Sequence, residues 1–172
     1  MTKNALISIA LFLAMVFIQV VCNRICLFNI AVPFVYIYFI VRLPMNMSVN
    51  WVLTLSFLLG LAVDIFSNTY GMNAMACTII SVLRKPVFAL YCSREDEMSS
   101  PIPSIRSLGA GNYIKYMFTI TLLFCSCIYL IQLFTFRNFL LTFLRIIGST
   151  VLTSILLFGF DCIATTRREK RL

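Results

Sequence analysis

The stretch GLAVDIFSNTYGMNAMA, residues 60–76, joins two apolar runs through a short polar turn. It carries one acidic residue, Asp64, close to the end of the first run. An ionisable side chain within a membrane-embedded segment is costly and therefore indicates a structural or functional role. The apolar runs on both sides predict two helices connected by a tight hairpin, and the rest of the chain repeats this pattern.

The composition excludes an ordinary water-soluble domain. Hydrophobic residues make up 61% of the 172 residues and charged residues only 12%, about half the charged fraction of a typical soluble domain. The mean hydropathy is +0.98. We expect an integral membrane protein with a single polytopic domain over residues 1–172.

The remaining composition argues against catalysis and against nucleic acid as a partner. The chain has no histidine, and its seven cysteines match no zinc-binding spacing. The absence of histidine removes the commonest general base. The net charge of +8 comes from basic residues that flank apolar runs, a pattern that indicates membrane topology. We therefore expect no catalytic residues, metal site, cofactor or nucleic-acid partner.

Six apolar runs approach the length of a membrane span, which is about 20 residues. The runs are residues 5–22, 25–41, 51–66, 72–83, 113–136 and 139–164. They predict an all-α membrane protein with six transmembrane helices. Pro33 predicts a kink or an extended entry in the second run. The short fourth run meets Arg84, Lys85 and Pro86, so it is either a kinked span or a span that stops there and continues as a surface helix.

The distribution of basic residues predicts the orientation. Six spans place both termini on one side, together with the polar loop 93–112 and the basic tail 165–172. If that side is the cytoplasm, two basic residues face out, Arg24 and Arg137, and eleven lie inside. The inner residues are Lys3, Arg42, Arg84, Lys85, Arg94, Arg106, Lys115, Arg167, Arg168, Lys170 and Arg171.

Two aspartates inside apolar runs require partners. Asp64 and Arg145 are predicted at similar depths below the outer face, so they form an ion pair, or Asp64 instead caps the fourth helix and binds the amides of the turn. Asp161 lies 16 residues after Arg145, about 24 Å further along the helix. Near the inner face it pairs with Arg84 or Lys85, or it is solvated among lipid headgroups.

Small and polar residues around Asp64 fit a helical hairpin. Gly60 lies one helical turn before Asp64 and allows close approach of a second helix. Gly71 is expected to supply a left-handed turn conformation. Asn73 is then a candidate cap of the fourth helix.

This stretch contains Gly60, Leu61, Asp64 and Ile65, followed by Thr69, Gly71, Asn73 and Ala74. It resembles the segment of the MreD family of rod-shape-determining membrane proteins in which a Gly-Leu pair, an aspartate and a Gly-x-Asn-Ala motif follow one another. The proline-led second span and the basic inner loop after the fourth run also fit that family. Tyr70 and Phe34 depart from it, since the family often has proline at the first position and an acidic residue at the second.

The resemblance implies a non-catalytic component of the bacterial elongation machinery in the plasma membrane. Such a protein binds the bitopic protein MreC and shares a complex with MreB, RodA and a class B penicillin-binding protein, which supports lateral peptidoglycan synthesis and cell shape. The resemblance implies a fold similar to the S-components of energy-coupling-factor transporters. Gly60, Asp64, Gly71, Asn73 and Ala74 are then a partner-binding or structural motif.

That fold similarity supplies the alternative function, a solute- or lipid-binding membrane subunit. A stripe of small residues on the first helix, Ala10 and Ala14, is of the kind that docks an energising subunit. The short outer loops argue against a lid that captures a vitamin-sized solute. A small lipid in an outer-facing cavity near Asp64 and Arg145 fits this alternative better.

Overall fold

The computed structural model describes residues 2–23, 32–91, 103, 109–133 and 139–169. Within these residues the chain forms six helices and no strand. The helices are α1 (Thr2–Cys22), α2 (Ile37–Arg42), α3 (Val49–Ser67), α4 (Met72–Tyr91), α5 (Ala110–Leu133) and α6 (Phe139–Glu169).

Four of these helices are long and apolar enough to cross a membrane. They comprise Val49–Ser67, Met72–Tyr91, Ala110–Gln132 and Leu140–Cys162. The apolar part of α1 identified in the described residues, Ile9–Cys22, is shorter. The predicted class, an all-helical membrane protein, is confirmed, and four of the six predicted spans are found as full-length apolar helices among the described residues. The two exceptions are the first predicted span, with the apolar part Ile9–Cys22, and the second, whose described helix, α2, has only six residues.

Residues 32–36 precede α2 without helical structure and lie inside the bundle. Every residue from 33 to 41 is buried. Pro33 has no backbone N–H and disfavours helical geometry in the residue before it. Non-helical backbone at membrane depth persists where surrounding protein satisfies its polar groups, and α1 and α6 do so here.

On one side of this segment, Gln19 of α1 bonds two backbone groups. Its amide nitrogen donates to the carbonyl of Pro33 at 2.9 Å, and its Oε1 accepts from the Val35 N–H at 2.8 Å. Gln19 is itself fully buried. One glutamine side chain therefore replaces hydrogen bonds that a helix would have made.

On the other side, hydroxyls of α6 take the same role. The Val32 N–H donates to Ser149 Oγ and the Phe34 N–H to Thr153 Oγ1, each at 3.1 Å. Ser149 and Thr153 are four residues apart, so they are neighbours on one face of α6. The segment thus runs along α6 in the same direction as the helix.

An aromatic cluster packs this segment against α5. The ring of Phe124 lies 5.5 Å from Phe34 and 5.6 Å from Tyr36, both edge-to-face. Tyr129 contacts Phe34 at 6.3 Å. Such pairs contribute about 0.5–1.5 kcal/mol each beyond their buried area. The core of the molecule is therefore the residue 32–42 segment, enclosed by α1, α4, α5 and α6.

The fourth run is one continuous helix of 20 residues that contains Pro86. It does not stop at Arg84 and Lys85. Of the predicted loop 93–112, most residues lie outside the described part of the chain, and α5 already begins at Ala110. The helical backbone of α6 continues to Glu169, and residues 170–172 of the predicted tail lie outside the described part.

Candidate functional site

The turn between α3 and α4 is organised by the Asp64 side chain. The carboxylate is 3% exposed and accepts four hydrogen bonds. Oδ1 accepts from the Thr69 hydroxyl, from the Asn73 N–H at 3.2 Å and from the Asn73 amide at 2.9 Å. Oδ2 accepts from the Ala74 N–H at 2.9 Å. Asp64 therefore caps α4, where a negative charge also complements the helix dipole.

The backbone of the turn supports the same arrangement. The Asp64 carbonyl accepts from the Thr69 N–H at 3.1 Å and from the N–H of Asn68. Asn68 has a left-handed conformation, with φ of 54°, and ends α3. Gly71 has φ of 75°, a conformation that glycine adopts without the penalty a Cβ would bring. The chain thus reverses within four residues.

Gly60 lets α3 and α4 approach each other at this turn. A Cβ added to Gly60 would lie 2.4 Å from Ala74 Cα and 2.6 Å from both Ala74 N and the Asn73 carbonyl oxygen. All three neighbours are backbone atoms, so they cannot move aside as a side chain would. The position accepts no side chain without separation of the two helices.

Asn73 links the turn to the core rather than capping α4 itself. Its amide donates to Asp64 and to Thr69 Oγ1, and its Oδ1 accepts from the Tyr36 hydroxyl at 2.7 Å. The expected capping role belongs to Asp64, since Asn73 lies inside the first turn of α4. Gly60, Asp64, Gly71, Asn73 and Ala74 therefore form one structural unit.

The expected ion pair between Asp64 and Arg145 does not form. The carboxylate is already surrounded by N–H and hydroxyl donors, and the ion pair found in the described part of the chain joins Arg42 to Asp161. Arg145 nevertheless lies at the same end of the bundle as Asp64. Of the two alternatives, the structure supports the cap.

A partly open cavity of about 220 Å³ lies beside this turn. We call it the Arg145 cavity. Its polar lining comes from α1, α3, α4, α5, α6 and the turn: Gln19, Asn23, Ser67, Thr69, Asn73, Tyr129, Gln132 and Arg145. Its apolar lining comprises Val32, Phe34, Val63, Met72 and Ile128. The cavity thus combines a polar centre with apolar walls.

The opposite end of the bundle carries two neighbouring basic residues, one buried and one exposed. Arg84 is fully buried and donates to the carbonyls of Ile40 at 2.6 Å and Pro44 at 2.9 Å. Lys85 is exposed and reaches the Met47 carbonyl at 3.4 Å. Carbonyls at the end of a short helix are unsatisfied acceptors, so a cation is favourable there. Arg84 therefore fixes the end of α2 against α4.

Asp161 pairs with Arg42 and not with Arg84 or Lys85. Arg42 Nη1 lies 3.1 Å from Asp161 Oδ1, which also accepts from the Tyr38 hydroxyl at 3.1 Å. Asp161 has no exposed surface, so the alternative of a solvated carboxylate is also wrong. The reason is the packing of the helices: Tyr38 and Arg42 of α2 reach α6, while Arg84 is engaged by the carbonyls of α2 and the loop after it.

The polar row on α6 that receives the core segment was not predicted from the sequence. Arg145, Ser149, Thr153 and Asp161 follow one another at spacings of four or eight residues. Residues four apart are neighbours on a helix surface. Polar residues at this spacing in an apolar run are a signal that could have indicated a buried, hydrogen-bonding face.

Comparison of the chain with protein-family models, with curated proteins and with solved structures finds no match. The function must therefore be argued from the residues and the geometry.

Proposed function

We propose that this protein is a non-catalytic membrane subunit of the bacterial complex that maintains rod shape. It binds an MreC-like bitopic protein and supports lateral peptidoglycan synthesis, in a complex with MreB, RodA and a class B penicillin-binding protein. Its location is the plasma membrane, with both termini in the cytoplasm. One observation carries the proposal: the five residues that resemble the MreD segment form a single structural unit around Asp64.

That unit supports a scaffold because its polar groups are used within the fold. The Asp64 carboxylate is occupied by α4 and the turn, and Asn73 by Asp64, Thr69 and Tyr36. A catalytic carboxylate would instead face a reacting group. The arrangement favours a rigid hairpin that presents its surface to another protein.

Tyr70 is the side chain of the turn best placed for that contact. It lies at the tip of the hairpin and is 99% exposed. Ile65 and Phe66, close to it on α3, are also exposed. Tyrosine is enriched at binding hot spots and combines an apolar ring with a hydroxyl donor. In this proposal Tyr70 contacts the membrane-proximal segment of the partner.

The test is affinity capture of the tagged, full-length protein in mild detergent, with identification of the proteins that co-purify. We compare wild type with Tyr70→Ala and with Leu90→Ala. Leu90 is a matched control because it is 76% exposed and lies at the other end of α4. We expect wild type and Leu90→Ala to capture an MreC-like protein, and Tyr70→Ala to capture several times less.

Two results would overturn parts of this proposal. If wild type captures neither an MreC-like protein nor RodA, the scaffold function is wrong. If Tyr70→Ala captures the partner as well as Leu90→Ala does, the hairpin tip is not the contact. Stability of each variant in detergent is checked by size-exclusion chromatography before the capture.

The Arg145 cavity favours a second function, a solute- or lipid-binding subunit like the S-components. Its volume of about 220 Å³ lies below the roughly 300–1,000 Å³ of pockets that enclose drug-sized ligands. A vitamin-sized solute therefore fits less well than a smaller group. Capture of an ATPase-driven transport module in the same experiment would replace the scaffold by this function.

A further inference from the structure

The Arg145 cavity has polar walls whose hydrogen-bond acceptors are largely occupied. Gln19 Oε1 accepts from Val35, and Asn23 Oδ1 accepts from Gln19. Asn73 Oδ1 accepts from Tyr36. A ligand in this cavity would find few side-chain acceptors for its own donors.

Two side chains that line the cavity, Arg145 and Gln132, have hydrogen-bond donors that are not occupied in this way. Within the described residues, neither the Arg145 guanidinium nor the Gln132 amide has a protein hydrogen-bond partner. Arg145 carries five N–H donors and Gln132 carries two. Both line the cavity, from α6 and α5 respectively. Because a guanidinium has donors and no acceptor, the ligand that complements Arg145 must supply acceptors.

The charge of Arg145 specifies the ligand further. Arg145 lies six residues after the start of α6 at Phe139, about 9 Å along the helix, and it is half-buried. An unpaired cation at membrane depth is unfavourable, and an anion in the cavity would remove that penalty. Asp64 does not supply this anion, because its oxygens point to the α4 amides and the turn.

We propose that the Arg145 cavity binds a phosphate group, with Arg145 as its ionic anchor and Gln132 as a second donor. A guanidinium binds two phosphate oxygens at once through its planar fork. A tetrahedral phosphate also presents an oxygen outside the plane of the guanidinium fork, where the Gln132 amide can donate to it. The cavity volume suits a headgroup-sized ligand.

The phosphate can belong to an anionic lipid or to a soluble molecule. Apolar side chains line the same cavity, Phe34 and Ile128 among them, as an acyl chain next to the phosphate would require. The inference does not depend on the proposed scaffold function, because it concerns the isolated protein without any partner.

The experiment uses the purified full-length protein in a neutral detergent. Binding of phosphatidylglycerol and of diacylglycerol, which has acyl chains but no phosphate, is measured by native mass spectrometry, and binding of radiolabelled inorganic phosphate by equilibrium dialysis. The variants are Arg145→Gln and Gln132→Leu. Lys115→Gln is the control, since it removes one positive charge from an exposed position on α5.

We expect one phosphate-bearing molecule per wild-type chain and a loss of affinity of about tenfold or more in Arg145→Gln. Gln132→Leu should lose less and Lys115→Gln nothing. Saturable binding of phosphatidylglycerol alone identifies a lipid headgroup, and saturable binding of inorganic phosphate identifies a soluble source.

Three results would overturn the inference. Binding of neither probe by the wild type is the first, and binding by Arg145→Gln as tight as that by Lys115→Gln is the second. Equal retention of diacylglycerol and phosphatidylglycerol is the third, because it would show that the phosphate is not recognised. Because Arg145 has no hydrogen bond within the described fold, Arg145→Gln is expected to fold, and Gln132→Leu tests the same cavity independently.

Discussion

At the scale of single residues, Gly60 decides how closely α3 and α4 pack. An added Cβ would meet the backbone of Ala74 at 2.4 Å, so the helices would have to separate. Gly60→Ala should lower the free energy of unfolding by about 1–3 kcal/mol, the usual range for overpacking. The measurement is equilibrium unfolding in mixed micelles of mild detergent and dodecyl sulfate.

Gly159→Ala is the matched control for this substitution. Gly159 also lies within a helix, but a Cβ there would meet nothing within 4 Å. Because alanine is the better helix former, the control should be neutral or more stable by about 0.5–1 kcal/mol. Equal stability of the two variants would contradict the close approach at Gly60.

Asp64→Asn tests the cap. Asparagine keeps the shape of the side chain but places an NH2 group where an oxygen accepts N–H bonds, so buried amides at the start of α4 lose their acceptor. We expect a loss of about 2–3 kcal/mol, seen as a melting temperature in detergent about 5–10 °C lower.

Arg145→Gln distinguishes a cap by Asp64 from an ion pair between Asp64 and Arg145, the alternative that the sequence also allowed. The structure gives Asp64 four donors from α4 and the turn, and the ion pair in the described residues involves Asp161. Arg145→Gln should therefore not lower the melting temperature without added ligand. Equal losses in Asp64→Asn and Arg145→Gln would restore the ion pair as the explanation.

At the scale of elements, the apolar runs indicated where most helices lie, and local signals indicated two features between them. The hairpin of α3 and α4 follows from Asp64 and Gly71, which act within a few residues. Pro33 correctly indicated an extended entry to the second run. These features were predictable because their causes lie close together in the sequence.

The contacts made by α2 were not predictable in the same way. Asp161 pairs with Arg42, which lies 119 residues earlier in the chain. Depth in the membrane alone had predicted Arg84 or Lys85 as the partner. Depth along a helix can be counted from the sequence, but the neighbour at that depth depends on how the helices pack. The short α2 occupies the position that a full second span was expected to fill.

The hydrogen bonds to residues 32–36 give an element-scale prediction. Gln19→Leu leaves the Val35 N–H and the Pro33 carbonyl unpaired inside the bundle, while Thr153→Val leaves one N–H unpaired, that of Phe34. At about 1–3 kcal/mol for each buried unpaired group, Gln19→Leu should lose more stability than Thr153→Val.

Thr54→Val is the control for these changes, measured by the same unfolding in mixed micelles. Thr54 is exposed, and its hydroxyl bonds the Asn50 carbonyl of its own helix, so the substitution should cost little. If Gln19→Leu is as stable as Thr54→Val, the extended segment does not depend on α1.

At the scale of the whole molecule, the pair of Arg42 and Asp161 joins the core segment to the last helix. Breaking a buried pair costs about 3–5 kcal/mol, because the remaining charge stays uncompensated. Arg42→Gln and Asp161→Asn should each destabilise strongly, and the double variant by clearly less than the sum. Additive losses in the double-mutant cycle would show that the two residues do not interact.

The two ends of the bundle also give the last prediction, which concerns orientation. The Asp64 turn and the loop after α2 lie at opposite ends, since Arg84 contacts Pro44 twelve residues after α4 begins. Basic residues concentrate at the second end, so it should face the cytoplasm.

Tyr70 and Asn46 are exposed at the two ends. In intact cells a membrane-impermeant thiol reagent should label Tyr70→Cys above the wild-type background and should label Asn46→Cys only after the membrane is opened. The reverse result would invert the topology, place the Arg145 cavity at the cytoplasmic face, and exclude a contact between Tyr70 and a partner segment outside the membrane.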